Sequence, residues 1–252
     1  LKKENFKVAV DTHTHTILSG HAFSTLSENV AAAKARGLYG ICLTEHGPQT
    51  PNGPPEFIPH SQRMLPDFID GIRIYRGIEA NIIDYKGKVD VPARYLSFCD
   101  FVIASFHDFA LTPGSKEQNT SAYLGALQNP FIDILGHADD PAVPCDFETI
   151  AQEAAKLGKL LELNNNSLTP HRPNSKPSLI KFIKACLKYE VSVCIASDAH
   201  FHTMIGNTKL LSELLEELEF PPELIVNLNA ERFESYLKKR QLRLAKENPA
   251  TD

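Results

Sequence analysis

No Cys-x-x-Cys pair occurs in this 252-residue sequence, and its five cysteines (Cys42, Cys99, Cys145, Cys186, Cys194) are scattered and odd in number. That spacing argues against a disulfide framework and against a thiolate zinc site. Cys42, Cys186 and Cys194 sit inside apolar runs, where a reduced cysteine behaves as a small hydrophobe. Long apolar runs are missing too. No stretch approaches a membrane span, and Leu1 to Val10 lacks the core of a signal peptide, so a cytoplasmic protein with no membrane partner is expected. Positive charge is not in excess: a net charge of -5 leaves no global basic field for nucleic acid, and a small anionic substrate would need local help from metals. Repeats and low-complexity segments are absent.

What remains is an ordinary folding balance, 42% hydrophobic and 23% charged residues, which excludes a disordered chain. The length suits one undivided α/β barrel, so residues 1–252 are read as a single domain. Seven short apolar runs rich in β-branched residues read as strands: Lys7 to Val10, Gly40 to Thr44, Arg73 to Gly77, Phe101 to Ser105, Phe131 to Leu135, Lys159 to Leu163 and Val191 to Ala196. Near-continuous apolar runs of this kind suit a parallel sheet covered on both faces.

Helical segments separate several of them. Thr25 and Glu28 have capping-box spacing, Val30 and Ala33 give the following helix an apolar side, and Gly37 is placed to stop it. Asp146 to Leu157 repeats the arrangement, with Ile150, Ala154 and Leu157 on one stripe and Gly158 as terminator. Pro177 to Tyr189 does so again, burying Leu179, Ile180, Ile183 and Leu187. Strands alternating with helices imply a parallel sheet, closed or doubly wound. Gly47 to Pro59 carries five prolines and reads as an irregular lid or rim loop. From about residue 208 the chain predicts two terminal helices, the second ending in Lys238, Lys239, Arg240, Arg243 and Lys246, a solvated basic face.

Chemistry gathers where the strands end. After the first come Asp11, His13, His15 and His21; in an extended strand, residues two apart share a side, so His13 and His15 can converge on one ion. The second strand ends in Glu45 and His46, the third in Glu79, the fourth in His107 and Asp108, the fifth in His137, Asp139 and Asp140, and the seventh in Asp198 and His200. Any one histidine could be an ordinary loop residue satisfied by a backbone carbonyl. Seven of the ten histidines, all at strand ends of one polarity, are not explained that way. In a parallel barrel those carboxyl ends meet at one face, where active sites are built. Imidazole and carboxylate together suit zinc, manganese or iron. Four ligands complete a closed zinc site and this mouth offers more, so two or three ions with open positions are expected, with Glu79 or Asp198 as the natural bridge.

The motifs DTHTHT, His21 a short step later, LTEHG around His46, GIEAN around Glu79, SFH ending at His107, LGHAD around His137 and SDAH ending at His200 resemble the PHP family. This is the polymerase and histidinol phosphatase superfamily, and the likeness is to its small bacterial phosphatase-like members with a trinuclear zinc site. It extends over nearly the whole chain. The resemblance implies a distorted (β/α)7 barrel of TIM-barrel type with the metal site at the C-terminal face of the strands. It also implies three Zn2+ ions, with Mn2+ or Fe2+ as substitutes. His13 and His15 with Glu79 and Asp198 would hold the first ion, Glu79 with His107 and His137 the second, and His21, His46 and His200 the third.

Such a cluster predicts phosphate-ester hydrolysis of a small phosphorylated substrate, a phosphomonoesterase whose nucleophile is a hydroxide between two ions. Glu79, Asp198 and His200 would serve catalysis through it. Arg172 is the preferred phosphate contact, because its planar fork matches phosphate oxygens, and a surface arginine in a Pro-rich loop is the competing reading. Asn164 to Ser167 and His171 could orient substrate, whereas His60 and His202 have no motif support. Histidinol phosphatase is the related alternative, a PHP nuclease is weakened by the acidic charge, and an amidohydrolase ranks behind because His107 stands where a strand-four lysine is typical. A non-catalytic metal-binding regulatory module is the third class, since ligands alone prove binding and not turnover. A homo-oligomer stays open.

Overall fold

The structure is a computed structural model that describes residues 6–247. Its strands are β1 (Val10–Thr14), β2 (Gly40–His46), β3 (Phe68–Ile69), β4 (Ile72–Asn81), β5 (Phe101–Ser105), β6 (Ile134–Gly136), β7 (Leu160–Asn164) and β8 (Val193–Ala196). All but β3 run parallel in the order β1-β2-β4-β5-β6-β7-β8, while β3 folds back on β4 as an antiparallel hairpin. Backbone hydrogen bonds bring the two ends of the sheet together: His15 N–H donates to Ala199 O (2.9 Å) and Ala199 N–H to His13 O (3.3 Å). The result is the expected nearly closed barrel of seven parallel strands, with every carboxyl end on one face.

Two strand boundaries differ from the sequence reading in a way that matters. The first strand is Val10–Thr14 and not Lys7 to Val10, so His13 lies within it. The apolar pattern stops at Val10, but the strand continues to Thr14, which is satisfied inside the barrel: Thr14 Oγ1 donates to Cys42 O (2.7 Å) and Thr14 N–H to Thr44 Oγ1 (3.0 Å). The fifth parallel strand starts at Ile134 and not Phe131, because Asn129 to Asp133 form the turn into it.

The helices are α1 (Leu26–Arg36), α2 (Ile58–Ser61), α3 (Ala93–Leu96), α4 (Lys116–Gln128), α5 (Phe147–Leu157), α6 (Lys176–Lys188), α7 (Lys209–Glu217) and α8 (Ala230–Glu247). Thr25 and Glu28 form the anticipated capping box, and Gly37 and Gly158 end α1 and α5 at φ 69° and 63°, a conformation glycine adopts without strain. The proline-rich loop is irregular as expected until its end, where Pro59 is taken into α2, and Asp90 pins it by accepting from Gln49 N–H (3.0 Å). Among the described residues no helix is long and apolar enough to cross a membrane.

Helix α4 carries a second capping box, Ser115 with Gln118. Its buried side mixes Asn119 and Thr120 with Ala122, Tyr123, Ala126 and Leu127, which blurs the apolar stripe. Replacing Ser115 with Ala leaves the Gln118 N–H without its acceptor and should cost about 1 kcal/mol. A lower urea midpoint at unchanged slope is the expected readout, and an unchanged midpoint would mean the cap carries no stability.

The barrel's own interior is filled at its amino-terminal end by Val10, Cys42, Tyr75, Phe101, Ile103, Ile134, Leu160 and Cys194, against which α8 lays Phe233 and Leu237. All five cysteines are buried and unpaired. The basic stretch of α8 is not simply a solvated face. Lys238 and Lys239 are exposed, but Arg240 is buried and donates through Nε to Asp133 Oδ2 (2.7 Å), and Arg243 Nη2 reaches Oδ1 of the same carboxylate (2.9 Å). The Lys246 side chain lies outside the described residues. Closing this end leaves the opposite, carboxyl face as the open mouth.

Candidate metal centre

The pleat of each strand and the common polarity of the sheet deliver nine polar side chains to that mouth. His13 and His15, two residues apart on β1 and its extension, bring their rings to 4.9 Å as the strand period requires. Their Nε2 atoms lie 3.3 and 3.7 Å from Glu79 Oε2, and 3.6 and 3.3 Å from Asp198 Oδ1. The other oxygen of Glu79, Oε1, faces a different pair, His107 Nε2 at 3.4 Å and His137 Nε2 at 3.1 Å. A third convergence places His21 Nε2 at 3.2 Å from His46 Nε2 and 3.0 Å from His200 Nε2. The groups touch, since His46 Nδ1 is 2.6 Å from Glu79 Oε2. Of the two carboxylates expected as a bridge, Glu79 spans two groups; Asp198 offers only Oδ1, its Oδ2 being engaged by Asn164 Nδ2 (3.2 Å) and Arg172 Nη2 (3.3 Å).

Four of these atoms are close to their neighbours without a hydrogen bond. His13 Nε2, His15 Nε2, His46 Nδ1 and Glu79 Oε2 are all buried with no hydrogen-bond partner. Buried polar atoms left this way are costly unless something else satisfies them. Ligand atoms about 2.0–2.1 Å from a tetrahedral ion lie roughly 3.4 Å apart. Most of the separations here, 3.0 to 3.7 Å, bracket that value. Donor atoms of three sets lie within 4.8 Å of one another: His15 with His46 and His200; His13 with His15 and Glu79; and His46 with Glu79 and His107. Residue type, orphaned atoms and spacing together fit metal ions.

The rings are aimed by partners behind them. His13 Nδ1–H donates to Glu162 Oε1 (2.7 Å), which turns Nε2 toward the mouth. His107 Nδ1–H donates to Asn81 Oδ1 (2.7 Å) and His200 Nδ1–H to Asp198 O (3.0 Å), with the same effect. For His15 the relay is longer: Ser19 Oγ donates to Glu45 Oε2 (2.5 Å) and so accepts from His15 Nδ1–H (3.1 Å) and from His46 N–H (3.0 Å). Two of the nine gathered residues have left-handed backbone, His137 at φ 28° and Asp198 at φ 53°. Such strain persists where surroundings hold it. His137 N–H is taken by Glu162 Oε2 (2.8 Å), and Asp198 O accepts from Asn166 Nδ2 (3.1 Å).

Burial and charge set the protonation states. Burial alone would raise Glu79, but His13, His46 and His107 outweigh it and hold its carboxyl well below the usual range. Burial likewise opposes Asp198, and His13, His15, His200 and Arg172 hold it well below. Burial, reinforced by His46 and His200, lowers His15 and His21, and burial pushes His107 down to about 4. His13 goes the other way: burial would lower it, yet Glu162, Glu79 and Asp198 raise it well above the ordinary imidazole value. At neutral pH the mouth therefore offers charged carboxylates and neutral His15, His21 and His107. Against these, His13 holds a proton that a cation would displace.

Glu162 is the functional residue that strand-end spacing does not single out, because the sixth strand of the sequence reading ends in no expected ligand. Its signal is a lone carboxylate inside the apolar run of β7, fully buried between Leu161 and Leu163. Other acidic residues at the strand ends stay outside the cluster. Asp11 accepts from Ser197 Oγ (2.5 Å) and Gly206 N–H (2.7 Å) and ties the barrel seam. Glu45 holds Ser19 and Thr16, Asp108 is exposed, Asp139 is buried beside Ser167 and Arg172, and Asp140 accepts from Ala142 N–H. His60 packs on Phe98, and His202 pairs with Ser24.

Beside the cluster opens a cavity of about 720 Å³ lined by His21, Asp198 and His200 and by Asn166, His171, Arg172, Phe23, Phe201 and Met204. Arg172 is thus a mouth residue and not a surface one. Its Nη2 is anchored on Asp198, and its Nη1 has no hydrogen-bond partner among the described residues.

Comparison with known proteins agrees with this geometry. The family profile described as the PHP domain matches residues 11–169. A protein of Caldicellulosiruptor bescii named "probable phosphatase" is 43% identical over 229 residues, covering 91% of this chain and 95% of its own. One of the same name from Acetivibrio thermocellus is 40% identical, covering 94% and 98%. A histidinol phosphate phosphatase of Lactococcus lactis, solved with zinc, L-histidinol and phosphate, shares the fold at a TM-score of 0.54 and 20% identity, over 82% of this chain and 93% of that one.

Proposed function

The chain belongs to the PHP domain family, and we propose that it is a metal-dependent phosphomonoesterase whose cluster holds three ions, zinc or manganese. The observation that carries this reading is the Glu79 carboxylate, one oxygen turned to His13 and His15 and the other to His107 and His137. A carboxylate so placed can hold two cations side by side. The proposed ligands are His13, His15, Glu79 and Asp198; Glu79, His107 and His137; and His21, His46 and His200. When bound, the metals supply Lewis acidity toward phosphoryl oxygens and make water a nucleophile at neutral pH.

The chain's own residues do the rest. Arg172, held on Asp198 through Nη2, lines the cavity and is placed to bind a phosphoryl oxygen there. Asn166, which holds the Asp198 backbone, and Asn164, which holds its side chain, keep that carboxylate turned toward the histidines. Glu79 and Asp198, both well below the ordinary carboxylate range, stay charged at any working pH. The chain acts as one domain in this proposal, supported by α8 near its carboxyl end plugging the barrel formed from its beginning. The five unpaired cysteines support a reducing, cytoplasmic setting.

The test couples metal analysis to turnover. Purified protein should carry two or three divalent ions per chain and hydrolyse phosphomonoesters, and a chelator should remove both together, with zinc or manganese restoring them. Full metal occupancy without hydrolysis of phosphomonoesters, phosphodiesters or amides would favour a regulatory metal-binding module instead.

A further inference from the structure

We propose that the cavity beside the cluster is a subsite for an uncharged aromatic leaving group, so that the substrates are phosphate monoesters carrying an aryl or similarly flat apolar moiety and not an ammonium group. The inference rests on the phosphomonoesterase reading and specifies its substrate class. The cavity volume, about 720 Å³, is that of a small-molecule pocket. Its lining joins the cluster, through His21, Asp198 and His200, to the proposed phosphate contact Arg172, and includes Asn166 and His171. The apolar part of the lining is Phe23, Phe201 and Met204.

Phe23 is the most exposed aromatic ring among the described residues, at 76%, and Phe201 beside the same cavity is 40% exposed. Exposed aromatic faces placed together beside a site are most simply explained by a ligand that covers them. Both residues are tied to the segment that carries His200. Phe23 N–H is fixed to His200 O (2.8 Å), and Phe201 leans on the His202 ring at 4.2 Å.

Charge on the lining decides between leaving groups. Asp198 is the one carboxylate among the lining residues, and it is already engaged by Arg172, Asn164 and the histidines. The others that carry nitrogen, Arg172, His171, His21 and His200, offer no anionic partner. An ammonium group entering here would meet no free counter-charge and would face the like charge of Arg172. A flat apolar group meets two aromatic faces and a thioether.

The subsite is tested with esters whose leaving alcohols have similar intrinsic reactivity: 2-phenylethyl, n-propyl and 3-aminopropyl phosphate, each with the metal-loaded protein. The phenylethyl ester should exceed the propyl ester in kcat/KM by about tenfold or more, the scale expected when an apolar pocket gains a well-fitting group. The aminopropyl ester should fall below both. Phe23→Ala and Phe201→Ala should each lower kcat/KM for the phenylethyl ester more than for the propyl ester and so narrow the ratio. Phe23 is exposed, so its removal leaves the fold intact. Equal kcat/KM for the three esters, or preference for the aminopropyl one, overturns the subsite. Calorimetric titration with 2-phenylethylphosphonate and propylphosphonate separates the two levels. Tighter binding of the aromatic phosphonate with no ester hydrolysed would keep the subsite and sink the phosphomonoesterase reading; equal binding of both phosphonates would sink the subsite.

Discussion

Glu79→Gln should reduce phosphomonoester turnover by at least about 10³-fold, the upper end of what removing one preorganised charge from an active site costs, and should lower the number of ions retained after dialysis. The substitution keeps the volume of a side chain buried on all sides, so packing is not what changes. What changes is that one acceptor oxygen becomes an amide nitrogen. The two oxygens face different histidine pairs, His13 and His15 on one side and His107 and His137 on the other, so either orientation of the amide turns N–H donors onto ring nitrogens that need an anion or a cation between them. The charge goes as well. Three neighbours, His13, His46 and His107, hold this carboxyl well below its usual range against burial, and all three lose the partner they act on. Metal content by mass spectrometry and steady-state kinetics are the measurements. Unchanged turnover with unchanged metal content would remove Glu79 from the site and with it the bridging assignment.

The amino-acid sequence reveals those parts of the fold and the site whose causes are local or ordered along the chain. Ligand residue types at the ends of successive strands are legible because a parallel barrel turns sequence order into spatial order, and His13, Glu79, His137 and Asp198, far apart in sequence, meet for that reason alone. The (β/α)7 count is legible for the same reason. Helices α1 and α5 are legible through local chemistry, a capping residue before and a glycine after. The extent of β1 is not, because the strand runs on through the polar Asp11, Thr12 and His13, and the partners of Asp11 and of His13 Nδ1, Ser197 and Glu162, lie far away in sequence where local pattern cannot reveal them. Arg240 and Arg243 resemble a solvated face because the carboxylate they clamp, Asp133, lies more than a hundred residues away in sequence. The third convergence, His21 with His46 and His200, comes from family resemblance and not from periodicity, since His21 lies in the turn after the strand.

Glu162→Gln should weaken metal binding by about 10- to 100-fold, the range for partners that orient ligating histidines, although Glu162 is not among the proposed ligands. Its carboxylate faces three donors at once: His13 Nδ1–H, His137 N–H and Asn164 Nδ2–H (3.0 Å to Oε2). Only an anion with two acceptor oxygens serves all three. A glutamine must turn its NH2 toward at least one of them, leaving a buried donor unmatched, and the two residues set adrift are His13, at the first ion, and His137, which already sits at a strained φ of 28°. The metal-free protein gives a second readout that a change in packing would not move. Burial would lower His13, and Glu162 is the largest of the influences that raise it; burial would raise Glu162, and His13 is the largest of those that lower it. The raised imidazole contributes stability that is fully present below its ordinary value of 6.5 and is lost as pH rises through the folded value. The depressed carboxyl contributes stability present above its ordinary 4.5 and lost as pH falls through the folded value. The pair is therefore worth most between the carboxylate range and the raised imidazole value. The stability deficit of metal-free Glu162→Gln, measured by urea unfolding across pH, should peak in that window and shrink on the alkaline side, while NMR titration should find His13 shifted downward. A deficit independent of pH, or an unmoved His13, would mean that Glu162 fills space in the barrel and does not aim the histidines.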